Sequence, residues 1–223
     1  MDLVQELDAL LAANVPLMHL VTYEEHRVLR MLGELEATRD LGIVSWDLAD
    51  QFQTHRPAKQ PLPPKECTSE TILKYLSEKL PPGCVVVLKD FHLSWTSGQR
   101  SYICRKLRNM VRPLRANNQF LIFTTPPLPA ERDLPIELKD DVVVLQVPLP
   151  NRSELEQLFD EVTAKLDKSK LPRPEVKDKL IQSALGLTTN QAQLAFSRVW
   201  AVFHKFDEHG IKLVTWAKQQ VIR

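Results

Sequence analysis

A tight turn between an apolar run and an amphipathic helix is the first place in this sequence where a ligand could bind. The turn, Thr22-Tyr23-Glu24-Glu25, follows the run "LMHLV". Many nucleotide-binding proteins hold a phosphate at such a turn, with glycines for backbone N–H contacts, a lysine for charge and Ser or Thr for Mg²⁺. Between Thr22 and Arg30 this sequence has no glycine and no lysine.

The same turn has the spacing of a helix cap. Thr22 and Glu25 form the T-x-x-E pattern of a capping box, in which two side chains bond to the backbone at a helix N-terminus. Glu24 and Glu25 also place two negative charges in the first turn, where each complements the helix dipole by roughly 0.3–1 kcal/mol. Because these charges repel a triphosphate, the sequence predicts a structural cap where a nucleotide would be held.

A helix over residues 99–116 carries many cations and no acid between Arg100 and Arg115. Its apolar stripe leaves the cations on the remaining faces. They can contact the phosphates of a nucleic acid, dock on an acidic protein surface such as the acidic first 50 residues of a neighbouring copy, or form a solvated face. Because only Tyr102 stands among them, protein contact is favoured over nucleic acid. The candidate partner-binding residues are Arg105, Lys106, Arg108 and Arg112.

Composition and motifs exclude several classes of protein. The 29 Lys+Arg nearly balance the 28 Asp+Glu, so net charge indicates no particular partner. No apolar run is long enough to span a membrane, and no signal peptide is evident. The odd number and wide spacing of the cysteines (Cys67, Cys84 and Cys104) predict a reducing compartment and no zinc site. There is no G-x-S-x-G or H-E-x-x-H motif. His92, which follows Asp90 near a strand end, is expected to be an ordinary loop residue.

Strands and helices alternate over the first 150 residues. Strands are predicted at "PLMHLVT", "GIVSW", "CVVVL", "QFLIFTT" and "DVVVLQV", and helices at 2–13, 24–38, 69–79 and 99–116. This alternation predicts an α/β domain at 1–150, with a doubly wound, five-stranded parallel sheet.

From Asn151 the pattern becomes entirely helical. Helices are predicted at 153–166, 174–185, 189–206 and 211–222, after the corner Pro148-Leu149-Pro150. Capping boxes are predicted at Ser153 with Glu156 and at Thr188 with Gln191. A small all-helical domain is therefore expected at 151–223.

The order of these pieces resembles the AAA+ ATPase module, a P-loop NTPase-like fold with a helical lid. More narrowly, "LVTYEE", "VVLKDFH", "VPLPNRSELEQLFDEV", "ALGLTTNQAQLAF" and "KQQVIR" resemble the amino-terminal half of a cyanobacterial and chloroplast group of AAA+ proteins. In that group a degenerate AAA+ module precedes a complete one. The resemblance covers nearly the whole chain and is to the degenerate half alone. We therefore expect the chain to be either a fragment of a longer protein or a stand-alone version of the degenerate half.

The resemblance assigns positions of a degenerate nucleotide site. "LMHLVT" lies where the phosphate-loop strand would be, so Thr22, Glu24 and Glu25 replace that loop. Lys89 and Asp90 follow the strand that would carry the Walker B acids, and Lys89 disfavours Mg²⁺ there. We expect Lys89 and Asp90 to contact each other. Thr124 or Thr125 has the polar character of sensor 1, whereas no arginine precedes "TTNQAQ" where sensor 2 would be.

The resemblance implies a non-catalytic, AAA+-like interaction or regulatory module that is part of, or partner to, a complete AAA+ ATPase. No cofactor is expected for this module. One alternative is a weak ATPase with a non-standard site that binds ATP and Mg²⁺. Another is a clamp-loader-like subunit associated with DNA. Protein partners, either ATPase subunits or further copies of this chain, are expected ahead of nucleic acid, and no membrane is expected. The predicted location is the cytoplasm or the chloroplast stroma.

Overall fold

A computed structural model describes residues 3–63, 65–95, 98–129 and 134–221. The chain divides into two compact units, an α/β unit over 1–147 and a helical unit over 148–223. The end of the "KQQVIR" motif, Ile222 and Arg223, lies outside the described residues. None of the helices in the described ranges is both long enough and apolar enough to cross a lipid bilayer.

The sheet of the α/β unit has six strands, in the order β3-β2-β4-β5-β1-β6. The strands are β1 Leu17–Val21, β2 Gly42–Asp47, β3 Gln51–Arg56, β4 Cys84–Lys89, β5 Gln119–Thr125 and β6 Val143–Gln146. The five predicted strands are all present and pair in parallel. The count of five was one too few, because β3 pairs antiparallel with β2 at the edge of the sheet. An edge strand is only partly buried, so "QFQTHR" shows no apolar run.

Helices cover both faces of this sheet. They are α1 Leu3–Ala12, α2 Glu25–Glu34, α3 Ile72–Lys79, α4 His92–Trp95 and α5 Arg100–Ala116. Side chains of α3, α4 and α5 pack with Val86 and Leu88 on one face of the sheet. Those of α1 and α2 pack with Val85 and Val87 on the other. Since both faces of β4 are buried, its sequence is continuously apolar.

Four helices form the separate core of the helical unit: α6 Arg152–Thr163, α7 Pro174–Ala184, α8 Thr189–Phe203 and α9 Glu208–Val221. Phe159, Phe196 and Val214 are among its buried residues. Gly210 lies close to α8, because a Cβ atom there would be 2.6 Å from Val199 Cγ1.

One of the two predicted lid capping boxes is confirmed. Thr188 and Gln191 bond reciprocally at the start of α8. The box predicted at Ser153 and Glu156 is wrong, because Asn151 and Glu154 form it instead. Asn151 has the extended backbone of a cap directly after Pro150, so α6 begins at Arg152, before Ser153 can act.

Candidate functional site

The sheet topology brings the predicted site positions together. β1 lies between β5 and β6, and parallel strands of such sheets place ligands beyond their carboxyl ends. Val21 is in register with Thr125, and Lys89 with Thr124. We call the group at the ends of β1, β4 and β5 the strand-end site; its members are Thr22, Glu24, Glu25, Lys89, Asp90, Thr124 and Thr125.

The predicted capping box between β1 and α2 does not form. Glu24 is the residue before the helix and makes no side-chain cap, and α2 begins at Glu25. The Thr22 hydroxyl accepts a hydrogen bond from the backbone N–H of Glu24, at 2.9 Å. The Thr22 hydroxyl therefore bonds to the backbone of the turn, two residues further along the chain. Glu25 does not have the capping role that its spacing suggested.

Glu25 contacts the end of β5 instead. Thr124 Oγ1 donates a hydrogen bond to Glu25 Oε1 over 3.2 Å. Thr124 is completely buried and Glu25 is half-buried. Partial burial, followed by repulsion from the Asp90 carboxylate, raises the pKa of Glu25 above its ordinary value. A carboxylate thus lies beside the predicted sensor 1 threonine, at the point where the three strands end.

Lys89 forms an ion pair with Asp47 rather than the predicted contact with Asp90. Lys89 Nζ lies 3.2 Å from Asp47 Oδ2, and the two side chains are only 11% and 21% exposed. Asp47 ends β2, and its other oxygen accepts the N–H groups of Ala49 and Asp50. Burial alone would raise the pKa of Asp47, but the bonds from Asp50 and Lys89 lower it on balance. The prediction was wrong because adjacent side chains diverge at a strand end, whereas neighbouring strands bring theirs together.

Asp90 and Thr125 have separate partners. Asp90 has a left-handed backbone, with φ of 50°, and its N–H donates to the Thr124 carbonyl. Its carboxylate lies 3.9 Å from His92 Nδ1. His92 is buried at the start of α4, so the expectation of an ordinary loop residue was wrong. Thr125 Oγ1 is 2.8 Å from His19 Nε2 inside the unit.

A cavity of about 350 Å³ lies at the edge of the strand-end site. Glu25, Lys89 and Asp90 line it together with Asp47 and Asp50, so its acids outnumber its cation. Leu48 and Leu93 also line it and are 60% and 63% exposed. Sequence reasoning missed Asp47, although a polar residue directly after the run "GIVSW" marks a strand end. Leu48 and Leu93 gave no such signal, because isolated leucines are common in loops.

The basic helix α5 is partly neutralised within the α/β unit. Arg100 pairs with Glu137 at 2.9 Å and Arg108 with Asp141 at 3.2 Å. Across the described ranges, Arg105, Lys106 and Arg112 make no ion pair. Arg105 and Arg112 are exposed, and Lys106 is partly buried. Of the four predicted partner-binding residues, Arg108 thus already has an acidic partner and the other three do not. Whether these residues bind a partner stays a prediction.

A site at the carboxyl ends of a mostly parallel sheet, followed along the chain by a four-helix unit, is typical of AAA+ proteins. Residues 3–147 match the model of the SpoVK-like AAA ATPase N-terminal domain, and residues 153–223 match the second domain of the same proteins. The chain belongs to the SpoVK-like AAA ATPase family. The resemblance predicted from the sequence is therefore confirmed.

Two relatives are similar over essentially the whole chain. The AAA domain-containing protein ycf46 of Guillardia theta is 25% identical over 228 residues, covering 100% of this chain. The ycf46 protein of Trieres chinensis is 27% identical over 220 residues, covering 97% of this chain. The chain spans 42% of the length of each relative.

Solved structures support the fold. PCH-2 of C. elegans aligns with a TM-score of 0.56 over 99% of this chain and 67% of its own, at 13% identity. The RuvB Holliday junction branch migration motor of Thermotoga maritima aligns with a TM-score of 0.57, over 97% of this chain and 68% of its own, at 10% identity. At these identities the likeness concerns the fold alone.

Proposed function

We propose that this chain is a non-catalytic AAA+-like interaction module that assists the assembly or regulation of a complete AAA+ ATPase. The observation that carries the proposal is the hydrogen bond from Thr124 to Glu25. It places a carboxylate of the chain itself where the strand ends converge and a nucleotide phosphate would otherwise meet the protein.

The residues of the strand-end site do not fit ATP with Mg²⁺. A phosphate needs free N–H donors and an available cation, whereas the Glu24 N–H is bonded to Thr22 and the nearby Lys89 is paired with Asp47. The carboxylates that line the same cavity repel an anion. A Mg²⁺ ion needs carboxylate and water oxygens, whereas the end of β4 carries the Lys89 ammonium, paired with Asp47. We therefore propose that this site does not hydrolyse ATP.

Two surfaces of the α/β unit support a role in protein contacts. Leu48 and Leu93 expose apolar side chains at the edge of the cavity, where burial by a partner would be favourable. On α5, Arg105, Lys106 and Arg112 offer cations to an acidic partner surface. The ycf46 relatives are AAA domain-containing proteins that extend well beyond the part that this chain covers, and a complete AAA ATPase module is the partner we propose.

The three free, buried cysteines support a reducing compartment, and we infer the cytoplasm or a chloroplast stroma. Burial raises the pKa of the Cys84 thiol to about 12, so this residue stays a thiol at neutral pH.

The test is association of the full chain with a complete SpoVK-like AAA ATPase module, measured by sedimentation at low and high salt. Replacing Arg105, Lys106 and Arg112 together with glutamine should weaken association and leave the melting temperature unchanged. The matched control is Arg100→Gln with Arg108→Gln, which removes cations already paired with acids. This control should associate nearly as the wild type does.

Four outcomes would contradict the proposal. Equal association of both variants would make α5 a solvated face, and no association at any salt would remove the interaction role. Salt-steep binding to DNA, lost in the triple variant, would favour the clamp-loader-like alternative. ATP hydrolysis by the chain alone, abolished by changes at the strand-end site, would favour the weak-ATPase alternative.

A further inference from the structure

A groove between α8 and α9 of the helical unit has no part in the function proposed above. Its volume is about 410 Å³. Its lining combines apolar or aromatic side chains with cationic ones: Arg198, Phe203, His209, Lys212, Leu213 and Trp216. No acidic residue contributes to this lining among the described residues.

The sequence builds this groove through contacts at both of its ends. Gly210 allows the start of α9 to approach Val199 of α8 closely. Nearby, the rings of Phe203 and His209 lie 5.9 Å apart. Further along, the Arg198 guanidinium lies over the Trp216 ring, 5.2 Å from its centroid. The groove is therefore held by contacts between the two helices and does not depend on a mobile loop.

The surface around the groove is apolar along one face of α8. Leu194 and Val202 are four residues before and after Arg198, so the three lie on one face, and both aliphatic side chains are exposed. Trp216 on α9 is 48% exposed, although tryptophan is costly to leave in water. An exposed tryptophan beside aliphatic side chains is typical of an anchor in a protein interface.

The charges of the groove select its occupant. Arg198 and Lys212 are exposed basic side chains that line the groove, and Lys212 makes no ion pair in the described part of the chain. Glu208, the nearest acid along the chain, is 3.9 Å from Lys179 Nζ. Asp207 is 2.8 Å from Lys205 Nζ and also accepts the N–H of His209. A partner with acidic side chains would thus meet complementary charge on both helices.

We propose that the α8–α9 groove binds an acidic amphipathic helix of a partner protein. Its apolar side chains would contact Leu194, Leu213 and Trp216, and its carboxylates would pair with Arg198 and Lys212. This is the helix-in-groove mode, in which apolar residues at helical spacing anchor the bound segment.

The groove is less suited to a nucleic acid. One face of the Trp216 ring, which a base would need for stacking, is covered by Arg198. Leu194 and Val202 extend the groove along α8 and are exposed. Their aliphatic side chains have no hydrogen-bond donor for a phosphate. Arg198 and Lys212 alone provide little of the positive charge on which phosphate binding depends.

The experiment uses the full 223-residue chain and a labelled helical peptide. The peptide carries leucines at positions i, i+3, i+4 and i+7 and glutamates on the flanking positions. A second peptide replaces every glutamate with lysine, and a labelled single-stranded oligonucleotide is the third probe. Fluorescence anisotropy measures the three affinities at low and moderate salt.

Two variants and two controls locate the binding. Trp216→Ala and Arg198→Glu should each weaken binding of the acidic peptide by about ten-fold or more. Trp216→Phe should retain most of the affinity, and Lys74→Glu, a change from cation to acid at an exposed position of α3, should retain all of it. If Trp216→Ala lowers the melting temperature, Lys212→Glu, at an exposed position of α9, serves as the second binding variant.

Each contrary result overturns the proposal. Equal binding of the glutamate and lysine peptides would show that charge does not select the occupant. Tighter binding of the oligonucleotide, lost in Arg198→Glu, would make the groove a nucleic-acid surface. No binding of the acidic peptide, or binding unaffected by all groove variants, would mean that no acidic helix docks there. None of these results bears on the α5 test, because the groove variants lie in α8 and α9 of the helical unit and the α5 variants lie in the α/β unit.

Discussion

In the strand-end site of the α/β unit the polar side chains bond to one another, whereas in the α8–α9 groove the cations face outward beside exposed apolar groups. Thr124 donates to Glu25, and Lys89 pairs with Asp47. Lys212 makes no ion pair in the part of the chain that the structure describes, and Trp216 is half exposed. The first region pairs these four side chains within the chain, whereas the second leaves Lys212 and Trp216 exposed.

Under the function proposed above, the contrast illustrates how a fold can persist while its chemistry changes. Buried polar groups need partners, so a site without a ligand is stable only when the chain itself supplies them. Glu25 and Asp47 supply such partners at the ends of β5 and β4. Function must then be argued from the remaining surfaces, because fold membership alone does not assign it.

The largest expected effect follows from removing the partner of Asp47. Lys89→Ala leaves a largely buried carboxylate without its cation, so we expect a loss of about 1–3 kcal/mol in the free energy of unfolding. Lys212→Ala in the groove is the control, and an exposed lysine should change stability by less than about 0.5 kcal/mol. Urea unfolding measures both. Equal losses would erase the contrast between the two regions.

A smaller effect is expected at the hydrogen bond to Glu25. Thr124→Val keeps the side-chain shape but removes the donor, so we expect a loss of about 0.5–1.5 kcal/mol. Thr215→Val is the matched control, because the Thr215 hydroxyl donates only to a carbonyl of its own helix, on an exposed surface. If Thr124→Val leaves stability unchanged, the bond to Glu25 does not stabilise the strand-end site.

A still smaller effect concerns pH. The folded chain raises the pKa of Glu25 above its ordinary 4.5, so the folded state favours the protonated form. The stability contributed by this group is full below pH 4.5 and is lost as pH rises through the higher folded value. Glu25→Gln should therefore be slightly more stable than wild type at neutral pH, with the difference vanishing as pH falls towards 4.5.

Thermal melts across this pH range test the sign of that effect. Glu6→Gln, on an exposed position of α1, controls for loss of a surface carboxylate. A Glu25→Gln variant that is less stable than wild type at neutral pH would mean that the ionised carboxylate, and not the neutral acid, suits the site.

The sequence predicted the buried parallel strands and most helices because their signals are local. Continuous β-branched runs such as Cys84–Lys89 mark strands buried on both faces, and Thr188 with Gln191 marks a cap whose bonds span three residues. The edge strand β3 was missed because half-exposed positions carry polar residues. Periodicity cannot detect a strand whose sequence does not alternate.

The contacts of the strand-end site could not be predicted because they join distant residues. Thr22 and Glu25 matched a local capping pattern, but Glu25 bonds to Thr124, 99 residues away, in place of a cap. Lys89 has an acidic neighbour in sequence, yet it pairs with Asp47, 42 residues away. The α8–α9 groove likewise depends on how two helices cross, which their separate sequences do not specify.

The most direct test of the central claim is a calorimetric titration of the full chain with ATP and Mg²⁺, accompanied by a thermal melt. A bound ligand at 100 times its Kd would add about 2.7 kcal/mol of stability. We expect no saturable heat and no rise in melting temperature, because Thr124 and Lys89 already bond to the carboxylates of Glu25 and Asp47. Saturable binding that is lost in Lys89→Ala or Thr124→Val would contradict the account, since it would make these residues ligands of a nucleotide.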